Sequence, residues 1–269
     1  MRLNSTTGAV SVSQGSSPVI LAQPHSGLFV PDHIWDCLNS VGRQMADTDW
    51  RIPELYEGLL TDATVVRAEF NRYVIDVNRA PDNQSLYKTA NTTTLVPLTD
   101  FRGRSIWQKA PCAVDIQHRT QQFHQAYHQT LVQQIKRLQK QHKQVLVYDC
   151  HSICSQLPYL FEGRLPDVNI GSNSGNSCDP NLLLAAKRIC EKHANYSYVI
   201  DGRFKGGWTT RHYGQPNMNV HVIQMELSQR LYLASEQAPF AYCPKKADSL
   251  RNFLKDVLHE LEHVVVSLN

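Results

Sequence analysis

Two histidines in this chain stand where a sheet would deliver them to a ligand. His25, in Pro24-His25-Ser26-Gly27, follows the apolar run Val19-Ile20-Leu21-Ala22. His151, in Asp149-Cys150-His151-Ser152, follows Val145-Leu146-Val147-Tyr148. Short apolar runs bounded by turn residues predict buried strands of an α/β sheet. Ligands of such sheets sit beyond the carboxyl ends of the strands. Two imidazoles and one carboxylate, with a fourth position open, make the donor set of a hydrolytic zinc site. Three acids compete for the oxygen position. Asp47 and Asp49 lie two apart and so face opposite ways along an extended chain, and Glu69 ends another strand-like run. Asp47 also suits an N-cap or a turn. Asp149 is placed either to fix the tautomer of His151 from behind or to end the strand.

Other polar groups complement this pair. Glu226 ends the run Val222-Ile223-Gln224-Met225. A carboxylate beside a metal-activated water is placed to act as general base, and enclosure raises its pKa. Asn78 and Arg79 close the segment Ile75-Asp76-Val77-Asn78-Arg79. The planar fork of arginine fits a substrate carboxylate, although a surface ion pair explains Arg79 as simply. Arg211 and Tyr213 lie in the stretch from Gly206 to Gly214, whose glycines suggest a loop shaped against a ligand or an ordinary hairpin connection. Ser26 and Ser152, each following a histidine, suit hydrogen bonding rather than nucleophilic attack. No Gly-x-Gly-x-x-Gly, P-loop or Gly-x-Ser-x-Gly motif occurs, so dinucleotide, nucleoside triphosphate and serine-hydrolase chemistry lack support.

These residues need a sheet to gather them. Residues 1–17 read as a polar leader without order, and residues 18–269 as one domain. Helices are expected at 31–40, 53–60 (with Pro53 in the first turn), 181–193 (Asp179 as N-cap, Pro180 first) and 246–267. The longest helical period runs from 115 to 141, through Phe123, Tyr127, Leu131, Ile135 and Leu138. Its apolar face can be buried within the domain or against a second copy. Strands are expected at 64–69 and 73–77, spaced like a hairpin about Asn71-Arg72, and at 168–170, 198–201 and 220–226. Residues 83–110 read as a long ordered loop or lid. The alternation predicts an α/β fold with a central mixed, mostly parallel sheet flanked by helices.

With 269 residues, 42% hydrophobic and 19% charged, the chain can build a large core. A net charge of +3 is too mild for a nucleic-acid partner, and no apolar run reaches membrane-spanning length. The polar N-terminus lacks a signal core, and seven scattered cysteines suit free thiols in a cytoplasm.

Taken together, these segments resemble the N-formylglutamate amidohydrolase (N-formylglutamate deformylase) family. The matching pieces run in order through Pro24 to Gly27, Thr48-Asp49 into Glu54-Leu55-Tyr56, and Arg72 to Arg79. Arg119, Tyr127-His128, Asp149 to Ser152, and Leu165-Pro166-Asp167 to Gly171 follow. Gly207-Trp208 to Tyr213-Gly214, then Gln224-Met225-Glu226 with Arg230-Leu231-Tyr232, complete the set. The resemblance implies a fold like that of the zinc carboxypeptidases and aminoacylases. It implies hydrolysis of N-formyl-L-glutamate to formate and glutamate, the last step of one histidine degradation route. It also implies a divalent metal, zinc first, on His25, Asp49 and His151, with Glu226 as base and Arg79 or Arg211 on substrate carboxylates. One departure stands out: where the family carries a second acid four residues after Asp49, this chain has Pro53. Two further readings are a zinc-dependent deacylase or peptidase on another N-acyl amino acid or peptide, and a binding protein that keeps the cleft without turnover.

Overall fold

A computed structural model describes residues 8–84 and 92–268. Its strands are β1 (Val10–Ser13), β2 (Val19–Gln23), β3 (Thr64–Ala68), β4 (Val145–Ile153), β5 (Val168–Gly171), β6 (Tyr198–Ile200) and β7 (Val220–Ser228). They form one sheet in the order β1-β3-β2-β4-β7-β5-β6. The centre, β3-β2-β4-β7, is parallel; β1 runs antiparallel to β3, and β5 antiparallel to β7. Strands β2, β4 and β7 are buried at every position, which is why they read as unbroken apolar runs rather than alternating ones.

Helices α1 (Asp32–Trp35) and α2 (Ile52–Tyr56) are short. Helix α3 (Ala113–Arg119), a π turn (Thr120–His124) and α4 (Gln125–Gln139) run on as one long rod. Helices α5 (Pro180–Lys192), α6 (Trp208–Tyr213) and α7 (Pro244–Ser267) follow. The side chain of Asp179 accepts from Asn181 N, the N-cap expected from the sequence. No helix of the described residues is long and apolar enough to cross a membrane.

The sheet separates two cores. On one face Val19, Leu21, Leu146 and Tyr148 pack with α2, α5 and α7; on the other Ile20, Ala22, Val145, Val147 and Val222 pack with α4. Side chains alternate along a strand, so Asp149 and His151 project on the same side as Val145 and Val147. Gln224 and Glu226 likewise follow Val222. The face of the sheet toward α4 therefore changes from apolar to polar at the carboxyl ends of β4 and β7.

Three expectations are corrected. Residues 73–77 form turns rather than the second strand of a hairpin, and the antiparallel members of the sheet are β1, β5 and β6. The carbonyls of that segment bond to side chains of the long helix instead of a ladder: Val74 O accepts from Arg119, and Val77 O from His128. Burial without pairing gives the same apolar composition as a strand. Within the segment read as a disordered leader, Val10–Ser13 is an edge strand against β3; residues 1–7 lie outside the described residues. Its Val-Ser alternation is too short to stand out, and β3 supplies the template. Within the Gly206–Gly214 stretch, expected as a loop shaped against a ligand or a hairpin connection, Trp208–Tyr213 form a helical turn, α6. In the long 83–110 segment, residues 85–91 lie outside the described residues, while Leu95, Val96, Ile106 and Trp107 are buried in the α4-side core.

Candidate active site

His25 comes two residues after β2, and its carbonyl accepts from Asp49 N at 3.1 Å, tying the Asp47–Asp49 turn to the strand end. His151 and Glu226 face one another in register across β4 and β7, as do Asp149 and Gln224. The two imidazoles converge: Nδ1 of His25 lies 3.2 Å from Nδ1 of His151. Asp49 Oδ2 lies 3.1 Å from His151 Nδ1 and 3.8 Å from His25 Nδ1. His25, Asp49 and His151 together form a buried group of potential metal-donor atoms.

Each imidazole is held from behind by a carboxylate. His25 Nε2 lies 2.7 Å from Asp76 Oδ1, and His151 Nε2 lies 3.0 Å from Asp149 Oδ2. The Asp76 bond keeps a proton on His25 Nε2 and leaves its Nδ1 lone pair turned toward the shared space, which Nδ1 of His151 also faces. Asp149 lies at ion-pair distance behind His151, but neither of its carboxylate oxygens makes a hydrogen bond among the described residues, and His151 Nε2 meets the amide of Asn78 at 3.1 Å. Nothing in the sequence assigns Asp76 a role beyond an acid set between two apolar residues, Ile75 and Val77.

Four acids surround this centre, Asp49, Asp76, Asp149 and Glu226, all buried. Arg72 is the buried cation among them: Nη2 contacts His25 Nδ1 and lies 3.8 Å from Asp49 Oδ1, and the guanidinium stacks 4.9 Å over Phe101. Burial and the Arg72 charge lower His25 to about 4. Burial works the same way on His151, but Asp149 and Asp49 outweigh it and hold this ring well above the ordinary range. Burial would raise Asp76, yet His25, Arg79 and Arg72 keep it well below the usual carboxylate range. Burial pushes Glu226 up to about 8, against the pull of His151.

A metal fits these residues. Bonds of 2.0–2.2 Å to tetrahedral N and O donors imply donor separations of about 3.3–3.5 Å, and the observed 3.1, 3.2 and 3.8 Å bracket that span. The excess of buried carboxyl groups over guanidinium also calls for a cation.

The other candidates separate. Glu69 accepts from Ser11 Oγ at the sheet edge, away from the cluster. Asp47 accepts from Phe101 N at 2.9 Å, and burial raises its carboxyl to about 7 against the charge of Arg72. Arg79, Asn78, Ser152 and Glu226 line the cavity over the histidines. Asn78 Nδ2 is 3.1 Å from His151 Nε2, and its Oδ1 accepts from Thr209 N. Ser152 N donates to Asp49 Oδ2, and its hydroxyl bonds Tyr232 OH at 2.7 Å. Among the described residues Ser26 Oγ, a buried atom, has no hydrogen-bond partner. Arg211 and Tyr213 are not among the cavity-lining residues; Arg211 Nε donates to Gly206 O, and Tyr213 OH bonds His128 Nδ1 at 2.9 Å. Arg203, in contrast, lines the wall, with Nε donating to Leu160 O and the guanidinium over Phe204. Nothing in the local sequence Asp201-Gly202-Arg203 singles it out. Pro53 lies in the first turn of α2 and is not among the cavity-lining residues.

The family model for N-formylglutamate amidohydrolase matches residues 17–233. An N-formylglutamate deformylase of Pseudomonas aeruginosa is 40% identical over 255 residues, covering 94% of this chain and 95% of that one. One from Pseudomonas putida is 41% identical over the same length and shares of the two chains. Among solved structures, an N-formylglutamate amidohydrolase from Ralstonia eutropha JMP134 superposes with a TM-score of 0.82 at 20% identity, covering 97% of this chain and all of that one. A gene product of Agrobacterium tumefaciens superposes at 0.74 and 18% identity over 96% of each chain. These two share the fold; the match over most of the sequence goes further, and the chain belongs to the N-formylglutamate amidohydrolase family, whose members are amide hydrolases.

Proposed function

We propose that this chain hydrolyses the formamide bond of N-formyl-L-glutamate to formate and L-glutamate, using a divalent ion, zinc first, held by His25, Asp49 and His151. The observation that carries this reading is the convergence of two imidazole Nδ1 atoms and one carboxylate oxygen within 3.1–3.8 Å, beside the buried Glu226. Bound there, the ion supplies Lewis-acid polarisation of the formyl carbonyl and draws down the pKa values of water and of Glu226. Glu226 takes a proton from the attacking water as its oxygen bonds the formyl carbon. It returns that proton to the nitrogen of glutamate as the C–N bond breaks. Arg79 and Arg203, both on the cavity wall, receive the two substrate carboxylates in planar, charge-assisted contacts. Arg72 orders the acids around the histidines, while Asn78 and Ser152 set His151 and Asp49.

The reading places the enzyme in the cytoplasm, at the last step of a histidine degradation route, on a fold akin to the zinc carboxypeptidases and aminoacylases. Apolar side chains on the same wall, Phe101, Ile153, Leu160 and Phe204, favour a second reading in which a larger acyl group or a short peptide is cleaved. The test is formate release from N-formyl-L-glutamate by purified protein, after chelation and after zinc is restored. Formate that vanishes with chelator and returns with zinc is expected. Zinc binding without formate, with cleavage of N-acetyl or peptide substrates, selects the second reading. Turnover unaffected by complete metal removal overturns the metal assignment.

A further inference from the structure

The segment that carries Asp76, Asn78 and Arg79 has no sheet neighbour among the described residues, yet it must be rigid to hold two histidines. The carbonyls of Val74, Val77 and Arg79 are taken up instead by the long helical rod, while Asn78 O accepts from Trp208 N at 3.2 Å. Arg119 Nη1 donates to Val74 O at 3.2 Å. Nε2 of His128 lies 2.8 Å from Val77 O, and Nε2 of His124 lies 2.9 Å from Arg79 O. A carbonyl only accepts, so both rings present Nε2–H. Nδ1 of His128 is then left to accept from Tyr213 OH. Both histidines are buried, and their rings pack on one another and on Trp208, each pair with centroids 4.4 Å apart for His124–His128 and His128–Trp208.

The spacing of these donors explains the π turn. Arg119 and His124 are five residues apart, which in a regular α-helix turns them about 140° from each other. In the π turn the hydrogen bond runs from Gln125 N to Thr120 O, five residues back. This widening brings residues five apart onto one face. His128, four residues on, follows in ordinary α-helical register. Between the held carbonyls the backbone N of Asp76 donates to Leu95 O, and that of Asn78 to Asp76 Oδ1.

We propose that His124 and His128, brought onto one face with Arg119 by the π turn, are positioning residues that hold the Val77 and Arg79 carbonyls and thereby aim Asp76 at His25 and Asn78 at His151. The inference rests on the reading of His25, Asp49 and His151 as the metal site, and its test keeps the two apart. The variants are His128→Leu and His124→Leu, which remove the donor at similar volume, against His128→Gln and His124→Gln, which keep an N–H within reach.

Three quantities are measured: zinc affinity by competition with a chromophoric chelator, kcat and KM for N-formyl-L-glutamate, and amide hydrogen exchange at Asn78 and Trp208. In the leucine variants zinc affinity is expected to fall about 10–100-fold, the span typical of losing outer support for metal ligands. Exchange at the two amides accelerates at least as much, and the glutamine variants recover most of both. Leucine variants that keep wild-type zinc affinity and exchange overturn the proposal, as does glutamine that rescues no better than leucine. A wild-type protein that binds no zinc, with exchange still accelerated in the leucine variants, overturns the metal reading and leaves the clamp standing. Should a leucine variant at position 128 fail to fold, the pair at 124 decides the matter.

Discussion

Asp76 offers the sharpest test of how this centre is built. Its Oδ1 accepts from His25 Nε2 at 2.7 Å and from Asn78 N at 2.9 Å, and the residue has no exposed surface. In Asp76→Asn the amide oxygen keeps both bonds, so what is lost is the negative charge behind the imidazole. In Asp76→Ala the acceptor goes as well, and the His25 ring is free to turn or to move its proton to Nδ1. Loss of such support costs about 10–100-fold in metal affinity, equivalent to about 1.4–2.7 kcal/mol. The asparagine variant is expected near the lower bound and the alanine variant near the upper. Alanine also leaves two buried donors unpaired, at about 1–3 kcal/mol of folding stability each, whereas asparagine spares both. Competition titration of zinc against a chelator at pH 7 measures the affinities, and urea unfolding the stabilities. Equal zinc affinity in all three proteins would refute the idea that Asp76 acts through His25. Equal loss in both variants would show that charge, not orientation, is the whole contribution.

Further outcomes follow from the same geometry. Glu226→Gln keeps the shape of a buried side chain but removes the base, so kcat should fall about 10²–10⁴-fold with zinc affinity retained; steady-state kinetics on zinc-loaded protein check this. Arg203→Met should raise KM for N-formyl-L-glutamate at least tenfold and leave turnover of N-formyl amino acids without a side-chain carboxylate nearly unchanged. Equal losses on both substrates would remove Arg203 from the second carboxylate. Asp47 gives a pH dependence of stability. Its folded pKa of about 7 lies above the unfolded value near 3.8, so the folded state favours the protonated form. Stability from this group is full below pH 4, declines as pH rises through the interval from about 4 to about 7, and is flat above it. The whole penalty is roughly 4 kcal/mol. Asp47→Asn keeps an acceptor for Phe101 N and should be more stable than wild type at pH 8, with the advantage shrinking toward pH 5 in denaturant titrations.

Much of this protein is legible without coordinates, for identifiable reasons. Burial on both faces makes β2, β4 and β7 unbroken apolar runs, and the polar residues that end those runs mark the carboxyl edge of the sheet. That is enough to single out His25, His151 and Glu226 and to expect a parallel α/β centre. Residue types also state what chemistry is available: imidazoles and carboxylates for a cation, guanidinium for an anion.

Distance is what the linear chain does not carry. The choice among Asp47, Asp49 and Glu69 turns on where a loop folds back, and it is the bond from Asp49 N to His25 O that sets Asp49 beside the histidines. Tyr73 to Val77 has the composition of a strand because it is buried. It is not one, because helix side chains satisfy the Val74 and Val77 carbonyls and no strand of the described residues lies alongside. Arg203 replaces Arg211 on the cavity wall because α6 turns Arg211 back onto Gly206, a rotation that no spacing of residues announces. Composition and periodicity specify which groups must be buried and which elements can form. Only the packed chain decides which buried polar groups meet, since a hydrogen bond is won or lost within a few tenths of an ångström.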